Sequence, residues 1–400
     1  MLKKIFLKFT PHFIISFLFN LISLKTYFER YSYPFKKYVS YFDTNLNIKF
    51  NHDLKKYITS KFVKIIYGIK NNNLHFHEFP LINKNILKEY LDKSGYYKKV
   101  FYVFSLNTSG TTGSALKIPV TNKFLKFKFA SSFFFYRLHG IEFSTRKANF
   151  LGRVFLDIDK SKPPYWLYSR FTKQLLLSQY HLRNDTVADY IRALKKFRIK
   201  HVHGYPSTLS IFCDLVDQQN LLSEVRNLKI DLVTAGSEIL NNNQKSKIEY
   251  VFGCKCRIFY SQTESVAEIF ECPHGKLHIN EKFSHVELIK YRNYHKVVGT
   301  QLKNKLFPLI RYDTGDLVEF DKNEQQCNCG INSRIVKRII GRDDDLIVLS
   351  NNQKIGRIDH IFKDSVNVVE AQFIQKIKGH AILLIVKGNN YSENDENIIM

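Results

Sequence analysis

A glycine-rich run of small hydroxylated residues, Ser105-Leu-Asn-Thr-Ser-Gly-Thr-Thr-Gly113, follows the β-prone segment Val100-Phe-Tyr-Val-Phe104. Glycines permit tight turns that aim several backbone N–H groups at one point, and short hydroxyls add donors with little bulk. This composition predicts a phosphate-binding loop, whose members are Ser109, Gly110, Thr111, Thr112 and Gly113. It has neither the Gly-Lys-Ser/Thr ending of a Walker loop nor a G-x-G-x-x-G turn. An ordinary surface loop is the alternative, since such clusters are common there.

Polar loops recur further along the chain, most of them after strand-like segments. Their sequences are Gly236-Ser-Glu238, Tyr260-Ser-Gln-Thr-Glu264, Arg311-Tyr-Asp-Thr-Gly-Asp316 and Ile340-Gly-Arg-Asp-Asp-Asp345. Taken singly, a Thr-Glu pair is typical of a helix N-terminus, and Thr-Gly-Asp is typical of an Asx turn. Loops at the carboxyl ends of strands in an α/β sheet meet at one edge, so the order and spacing of these loops together favour a single site.

Cysteine and histidine form a second constellation, Cys272-Pro-His274 followed by Cys327-Asn-Cys329-Gly330. Three thiolates and an imidazole on hairpin-like segments are a donor set for tetrahedral, structural zinc. We predict the ligands Cys272, His274, Cys327 and Cys329, with His278 as a competitor of His274. Burial of the cysteines as free thiols is the alternative. Such a site has no open coordination position for catalysis.

Composition bounds the class of protein. The 400 residues predict one large domain and a smaller one, and an apolar fraction of 44% is ample for a buried core. The net charge of +25 comes from lysine spread along the whole chain without a recognition motif, so we expect no nucleic-acid binding. Six cysteines in a chain of this length do not resemble a secreted disulfide framework, so we expect a cytoplasmic protein.

The N-terminal segment is apolar and basic, but its apolar stretch at 13–22 is too short to span a bilayer and no cleavage site follows it. We predict an amphipathic helix that packs on the protein, with peripheral membrane contact as the alternative.

Three regions follow from the pattern of elements. Residues 1–98 have a helical pattern, residues 99–341 alternate strands and helices before turning to hairpins, and residues 342–400 begin a short α+β piece. Strand-helix alternation predicts an α/β sheet with functional loops at the strand ends. Asp185 is predicted to cap an amphipathic helix that ends at Phe197.

The pair Tyr260-x-x-Thr-Glu264 and Tyr312-x-Thr-Gly-Asp316, with the glycine-rich run before it, resembles the adenylate-forming (acyl-CoA synthetase, AMP-binding) superfamily. The sequence is most similar to phenylacetate–CoA ligase-like proteins, particularly capsular polysaccharide biosynthesis (CapK-type) proteins. The resemblance covers most of the chain and is weakest over the N-terminal helices. It implies a large N-terminal domain with parallel-rich sheets flanked by helices and a β-hairpin subdomain, plus a small, incomplete α+β C-terminal domain.

The resemblance also implies a reaction, the ATP-dependent activation of a carboxylic acid as acyl-AMP with release of pyrophosphate. Transfer to CoA, a sugar or an amine would follow, in surface polysaccharide biosynthesis. The attack moves negative charge between phosphates, so donors and Mg²⁺ must be preorganised around them. The implied ligands are ATP, Mg²⁺, CoA and a small carboxylic acid. The oligomeric state and the acid itself are not implied.

On the phosphate side, the resemblance assigns residues 109–113 to the β- and γ-phosphates. Thr263 would donate to the α-phosphate, and Glu264 would hold Mg²⁺, which favours carboxylate oxygens. On the nucleoside side, Tyr260 would lie against the adenine, and Asp316 would accept from both ribose hydroxyls. The remaining nucleotide contacts implied are Gly236, Ser237, Glu238 and Arg342.

Two further assignments come from the resemblance. Asp344 stands at the hinge of the small domain, and Tyr205, in His203-Gly-Tyr-Pro206, borders the acyl pocket or packs beside it. The chain departs from the family at Ser261, where glycine is usual, and in the segment Ser114-Ala-Leu-Lys117. Beyond the hinge, residues 346–400 contain no Gly-Lys motif to supply the family's C-terminal lysine. We therefore expect a truncated copy or a poor adenylating enzyme. The alternative function is a catalytically weakened nucleotide-binding or scaffold protein of a capsule system.

Overall fold

The structure is a computed structural model that describes most of the chain. The described residues are 7–44, 61–67, 75–99, 104–107, 116–152, 154–323, 326–342, 346–348, 350, 354–356, 367–388, 391–393 and 395–396. The predicted phosphate loop at 109–113 and the predicted hinge at Asp344 lie outside these residues.

Helices dominate the N-terminal region, as the sequence predicts, and flank the sheet further on. The described helices are α1 (His12–Tyr31), α2 (Phe35–Asp43), α3 (Lys61–Tyr67), α4 (Lys84–Ser94), α5 (Tyr96–Lys99), α6 (Asn122–Leu138), α7 (Val187–Lys196), α8 (Pro206–Gln218), α9 (Leu222–Arg226) and α10 (Asn242–Phe252). Short 3₁₀ turns occur at Phe76–Glu78 and Gln179–His181.

Strands occupy the rest of the core. The described strands are β1 (Phe104–Asn107), β2 (Lys117–Val120), β3 (Lys147–Leu151), β4 (Trp166–Ser169), β5 (Gln174–Ser178), β6 (His201–Gly204), β7 (Leu232–Ala235), β8 (Cys256–Ser261), β9 (Glu268–Glu271), β10 (Leu277–Ile279), β11 (His285–Tyr291), β12 (Tyr294–Gln301), β13 (Leu309–Glu319), β14 (Ile335–Val336), β15 (Arg338–Arg342), β16 (Leu346–Val348), β17 (Lys354–Gly356), β18 (Val368–Ile377) and β19 (His380–Lys387).

A nine-stranded sheet forms the centre, in the order β14-β10-β9-β8-β7-β6-β3-β5-β4. Strands β5, β3, β6, β7 and β8 run parallel, and their neighbours on both sides are antiparallel. Helices α7, α8 and α10 bury one face of the parallel strands against a fully apolar cluster. The carboxyl ends of these strands therefore lie at one edge, as the alternating pattern predicts. The α/β class with parallel-rich sheet and flanking helices is confirmed.

A second sheet is entirely antiparallel, in the order β11-β12-β13-β15, and corresponds to the hairpins predicted after residue 275. It contacts the first sheet closely at Gly299, where an added Cβ would lie 2.2 Å from the carbonyl oxygen of Val266. Only glycine permits this approach, which brings β12 against the loop that follows β8. Beyond residue 345, the described residues form the hairpins β16–β17 and β18–β19.

Local sequence signals explain where helices begin and end. Thr121 caps α6 by accepting from the N–H of Phe124 at 3.1 Å, and α6 covers the predicted 122–138. The prediction that Asp185 caps α7 is wrong. Helix α7 begins at Val187 after Thr186, because the carboxylate of Asp185 instead pairs with Arg183 at 3.1 Å.

Helix α1 packs on the sheet through one face and exposes an apolar face on the other side. His12 and Asn20 bond to backbone carbonyls of β4 at 2.9 and 3.0 Å. Phe13 and Phe17 are 73% and 63% exposed, and other exposed apolar side chains of this segment are Phe9, Ile14, Leu18, Leu21, Ile22 and Phe28. None of the described helices has both the length and the apolar composition needed to cross a membrane.

The exposed apolar face of α1 predicts that the protein binds membrane surfaces. The charged residues among the first 28 are all lysines, so the face suits an anionic lipid surface. We expect the protein to cosediment with phosphatidylglycerol vesicles and not with phosphatidylcholine vesicles. Replacing Phe13 and Phe17 together with serine is expected to weaken binding at least about tenfold, because two aromatic side chains that would insert into the lipid are lost.

The control for the vesicle experiment is Ile211→Ser, which removes an exposed apolar side chain of α8. This variant is expected to bind vesicles as the parent protein does. Equal sedimentation of the double variant and the parent, or equal binding to neutral vesicles, would contradict the prediction.

Candidate active site

The first element of the site is a hydrogen bond between the two sheets. Tyr260 stands near the carboxyl end of β8, and its hydroxyl donates to Oδ2 of Asp316 on β13 at 2.7 Å. The side-chain amide of Gln262 donates to the same hydroxyl. Burial raises the pKa of Tyr260, and Asp316 beside it raises it further, so the phenol stays protonated as a donor. The sequence predicted both Tyr260 and Asp316, and the structure brings them together.

Arg342 lies across the strand pair from Asp316. Strands β13 and β15 pair with Asp316 opposite Arg342, so both side chains belong to the same part of the sheet. Burial raises the pKa of the Asp316 carboxyl, whereas the hydrogen bond from Tyr260 and the charge of Arg342 lower it. The arrangement provides a carboxylate acceptor with a guanidinium beside it.

Glu264 is oriented by a tyrosine that sequence analysis had treated only as part of a motif. The hydroxyl of Tyr312, a buried residue of β13, donates to Oε1 of Glu264 at 2.9 Å. Burial and the neighbouring Glu264 raise the pKa of Tyr312, so it also remains a donor. Because β13 carries both Tyr312 and Asp316, one strand positions Glu264 and Asp316. Thr263 precedes Glu264 in the same loop.

A partly buried lysine, which sequence analysis missed, holds this loop from the side of α6. Lys128 Nζ donates to the carbonyl of Gln262 at 3.2 Å and to the hydroxyl of Ser265 at 2.5 Å. Burial lowers its pKa, while the carboxylates of Glu268 and Glu264 act in the opposite direction. Lys128 therefore both fixes the backbone before Thr263 and Glu264 and balances nearby negative charge.

Glu268 lies beneath the loop and is completely buried. It accepts from the hydroxyl of Ser131 and from Nδ2 of Asn280, the latter at 3.0 Å. Burial raises the pKa of Glu268, and the charge of Lys128 lowers it. No spacing in the sequence marks this cluster, because Ser131, Glu268 and Asn280 come from three separate elements.

The loop after β7 lies against the end of β8. An added Cβ on Gly236 would lie 2.8 Å from the carbonyl oxygen of Phe259, so this loop passes directly against β8. Ser237 has a positive φ of 65°. Glu238 accepts from the N–H and the hydroxyl of Ser207 at 3.0 and 2.9 Å, which caps the N-terminus of α8. Contact of these residues with adenine stays a prediction.

Strand β15 approaches the same loop. At Gly341, which has a φ of +105°, an added Cβ would lie 2.4 Å from Cδ1 of Ile239. Tyr205 follows β6 and lies beside the end of β3. Its Cε2 is 3.1 Å from the position of an added Cβ on Gly152, which follows β3. Thus Gly236, Tyr260, Glu264, Asp316 and Arg342 belong to strand ends and loops around the junction of the two sheets.

The cysteine cluster is a separate site beyond β9. Donor atoms of Cys272, His278, Cys327 and Cys329 all lie within 4.8 Å of one another. The Sγ atoms of Cys272 and Cys327 are 3.6 Å apart, and Cys329 Sγ is 3.3 Å from His278 Nε2. Tetrahedral zinc with Zn–S bonds of about 2.3 Å separates its sulfur ligands by roughly 3.8 Å, which fits.

The predicted ligand His274 is wrong for this cluster, and His278 takes its place. His274 is exposed in the turn between β9 and β10. His278 lies within β10, opposite Ile335 of β14. This pairing brings His278 beside Cys327 and Cys329, which precede β14 in the chain. Its Nδ1 contacts the hydroxyl of Ser333 at 3.1 Å, which leaves Nε2 toward Cys329.

Comparison with known proteins agrees with the fold. The chain is 26% identical over 342 residues to Protein CapK of Staphylococcus aureus, covering 82% of this chain and 74% of that protein. No protein-family model matches the chain.

Among solved structures, the chain is similar to 2-hydroxyisobutyryl-CoA ligase in the postadenylation state with R3-HIB-AMP. The TM-score is 0.60 at 14% identity, covering 90% of this chain and 79% of that chain. The same ligase with 2-HIB-AMP and CoA in the thioesterification state gives a TM-score of 0.54 at 16% identity, covering 90% and 80%. The chain thus has the fold of this acyl-CoA ligase, as the resemblance predicted.

The cysteine cluster predicts that His278, and not His274, binds zinc. We expect the purified protein to hold about one zinc ion per chain by elemental analysis. His278→Ala and Cys327→Ser are expected to lose the metal and to lower the melting temperature, because three remaining ligands bind zinc more weakly. His274→Ala is the matched control and is expected to retain the metal.

Loss of zinc from His274→Ala with retention in His278→Ala would contradict the ligand set. Absence of zinc from the parent protein after growth and purification with zinc would contradict the site itself.

Proposed function

We propose that the protein activates a carboxylic acid with ATP, forming an acyl-AMP and pyrophosphate, and then transfers the acyl group to CoA or another acceptor. The observation that carries the proposal is the convergence of Tyr260, Glu264, Asp316 and Arg342 at the junction of the two sheets. These residue types match the requirements of an adenylation site. The fold is shared with a ligase whose structures contain acyl-AMP and CoA.

On the nucleoside side, Asp316 would bind the ribose. A ribose presents two adjacent hydroxyl donors, and an ionised carboxylate has the acceptor oxygens to receive both. The hydrogen bond from Tyr260 fixes the orientation of the carboxylate before ATP arrives. The ring of Tyr260 and the backbone at Gly236 would then enclose the adenine, since the absent Cβ at Gly236 leaves the loop in contact with β8.

On the phosphate side, the chain supplies a carboxylate and a hydroxyl. Glu264 would hold Mg²⁺, and a carboxylate oxygen fits the hard-oxygen preference of that ion. When bound, Mg²⁺ neutralises charge on the phosphates. Tyr312 keeps Glu264 aimed at the site, and Lys128 fixes the backbone of the loop. Thr263 would donate to the α-phosphate as the carboxylate of the acid attacks and the bond to pyrophosphate breaks.

The acceptor and the cellular role are proposed from the similarity to known proteins. CoA is favoured because a structural relative binds it. A role in capsule synthesis is suggested by similarity to Protein CapK. Placement in the cytoplasm accords with the need for ATP and with the fact that none of the six cysteines forms a disulfide.

The first prediction for this function concerns turnover. Addition of the correct acid is expected to support exchange of labelled pyrophosphate into ATP. Glu264→Gln is expected to reduce the Mg²⁺-dependent exchange about 10²- to 10³-fold, because charge stabilisation at the phosphates is lost. Glu142→Gln, at an exposed position, is the control and is expected to retain exchange. ATP binding without exchange for any acid would instead favour a scaffold or nucleotide-binding protein.

The second prediction concerns ATP affinity. Asp316→Ala is expected to raise the dissociation constant for ATP about 10- to 100-fold, since a hydrogen bond to a charged group contributes about 1.5–3 kcal/mol. Titration calorimetry measures this directly, with Asp159→Ala, at an exposed position, as the control. Unchanged ATP affinity in Asp316→Ala would remove the ribose assignment.

A further inference from the structure

The face of the parallel sheet opposite α7, α8 and α10 carries polar side chains where its other face is apolar. Strands β3, β6 and β7 pair so that Lys147 lies opposite His201, and Asn149 lies opposite His203 and then Thr234. Residues of alternate positions point to the same face of a strand. These five residues therefore form one patch, here called the basic patch, which faces α6 and α1.

Contacts inside the basic patch are specific. Nε2 of His201 and Nδ1 of His203 both contact the hydroxyl of Thr234, at 2.8 and 3.0 Å. The ring of His201 lies against Tyr136 of α6, with ring centroids 4.7 Å apart. Lys147 Nζ lies 5.1 Å from the centroid of the same tyrosine ring. The patch is therefore a packed arrangement rather than a set of loose surface side chains.

Its charge balance is unusual. Burial and the charge of Arg30 lower the pKa of Lys147 to about 8. Burial and the charge of Lys147 lower the pKa of His203 to about 4. Among the described residues no carboxylate forms an ion pair with Lys147. By contrast, the partly buried Lys128 has Glu268 and Glu264 beside it.

Two observations indicate that a ligand completes the patch. The side chain of His201 is fully buried, yet its Nδ1 has no hydrogen-bond partner. The ammonium group of Lys147 is partly desolvated and has no carboxylate beside it among the described residues, and proteins normally pair such a cation. Lys147 and His203 are only partly buried, so a ligand can reach them.

The basic patch also adjoins the proposed reaction site. The Cβ position of Gly236 is 3.7 Å from Cε1 of His203, and Gly236 belongs to the loop proposed to line the adenine. His203 and Thr234 therefore lie one or two residues before the loops that would hold acyl-AMP, and Lys147 and His201 lie two residues further back, roughly 7 Å along the strands.

We propose that the basic patch binds a second anionic group of the acid, so that the substrate is a dicarboxylic acid whose far carboxylate pairs with Lys147. This rests on the proposed function, because it places the near carboxylate at the α-phosphate. Lys147 supplies the charge, and Asn149 and His203 supply hydrogen-bonding atoms beside it. A purely apolar acid would leave the ammonium group with the ring of Tyr136 but without a counter-ion.

The test compares acids of equal chain length with one or two carboxylates, namely adipate with hexanoate, suberate with octanoate and sebacate with decanoate. Binding without ATP is measured by calorimetry, and kcat/KM is measured by pyrophosphate exchange. The parent protein is expected to favour one dicarboxylate at least tenfold over its monocarboxylate partner. In Lys147→Met, the preference for the dicarboxylate over the monocarboxylate is expected to fall at least tenfold. Lys162→Met, at an exposed position, is the control and is expected to keep that preference.

The outcomes distinguish this inference from the proposed function. Dicarboxylate binding that depends on Lys147, without exchange of pyrophosphate into ATP for any acid, would support the anion site and contradict the proposed adenylation. Exchange with monocarboxylates at equal or better efficiency would retain adenylation and overturn the inference. An unchanged ratio in Lys147→Met would also overturn it. Circular dichroism checks that the variant is folded, which is expected because methionine replaces a buried charge with an apolar chain of similar length.

Discussion

The hydrogen bond from Tyr260 to Asp316 joins the nine-stranded sheet to the four-stranded sheet, and the site is built around that junction. A second bond of the same kind, from Tyr312 to Glu264, crosses in the opposite direction. Each has a phenol as donor and a carboxylate as acceptor, an arrangement that contributes about 1.5–3 kcal/mol when charged. The close approach at Gly299 makes both possible, because a side chain there would separate the sheets.

This junction explains why the two carboxylates have separate tasks. Glu264 belongs to a loop of the first sheet, and Asp316 belongs to a strand of the second. A phenol from the opposite sheet donates to each of them, at 2.7 Å to Asp316 and 2.9 Å to Glu264, and so orients each carboxylate. Their oxygens remain suited to ligands that bring donors or cations, as a ribose and Mg²⁺ do.

Sequence analysis predicted the parts of the site that follow one another along the chain. Tyr260, Glu264 and Asp316 were found because the short motifs that contain them resemble motifs of the adenylate-forming superfamily. Lys128 was missed, since it contacts residues more than 130 positions away and stands among aromatic residues of a helix. Contacts of this kind depend on how α6 packs and not on any local pattern.

The choice between His274 and His278 shows the same limit in another form. Both histidines follow Cys272 closely, and both spacings are acceptable for zinc. The pairing of β10 with β14 decides between them, because it places His278 beside Cys329. That pairing joins strands that are far apart in the chain, so composition and local spacing do not predict it. The domain boundaries at 98 and 341 likewise remain predictions.

Helix α6 links the proposed reaction site to the basic patch, and its rigidity has a consequence for selectivity. Lys128 contacts the loop of Glu264, and Tyr136, eight positions later, contacts Lys147 and His201. Eight residues of α-helix rise about 12 Å. Since both ends of this interval are held by buried contacts, the distance between the reacting carboxylate and the far one is set by the fold. The site would therefore select an acid by its length as well as by its second charge.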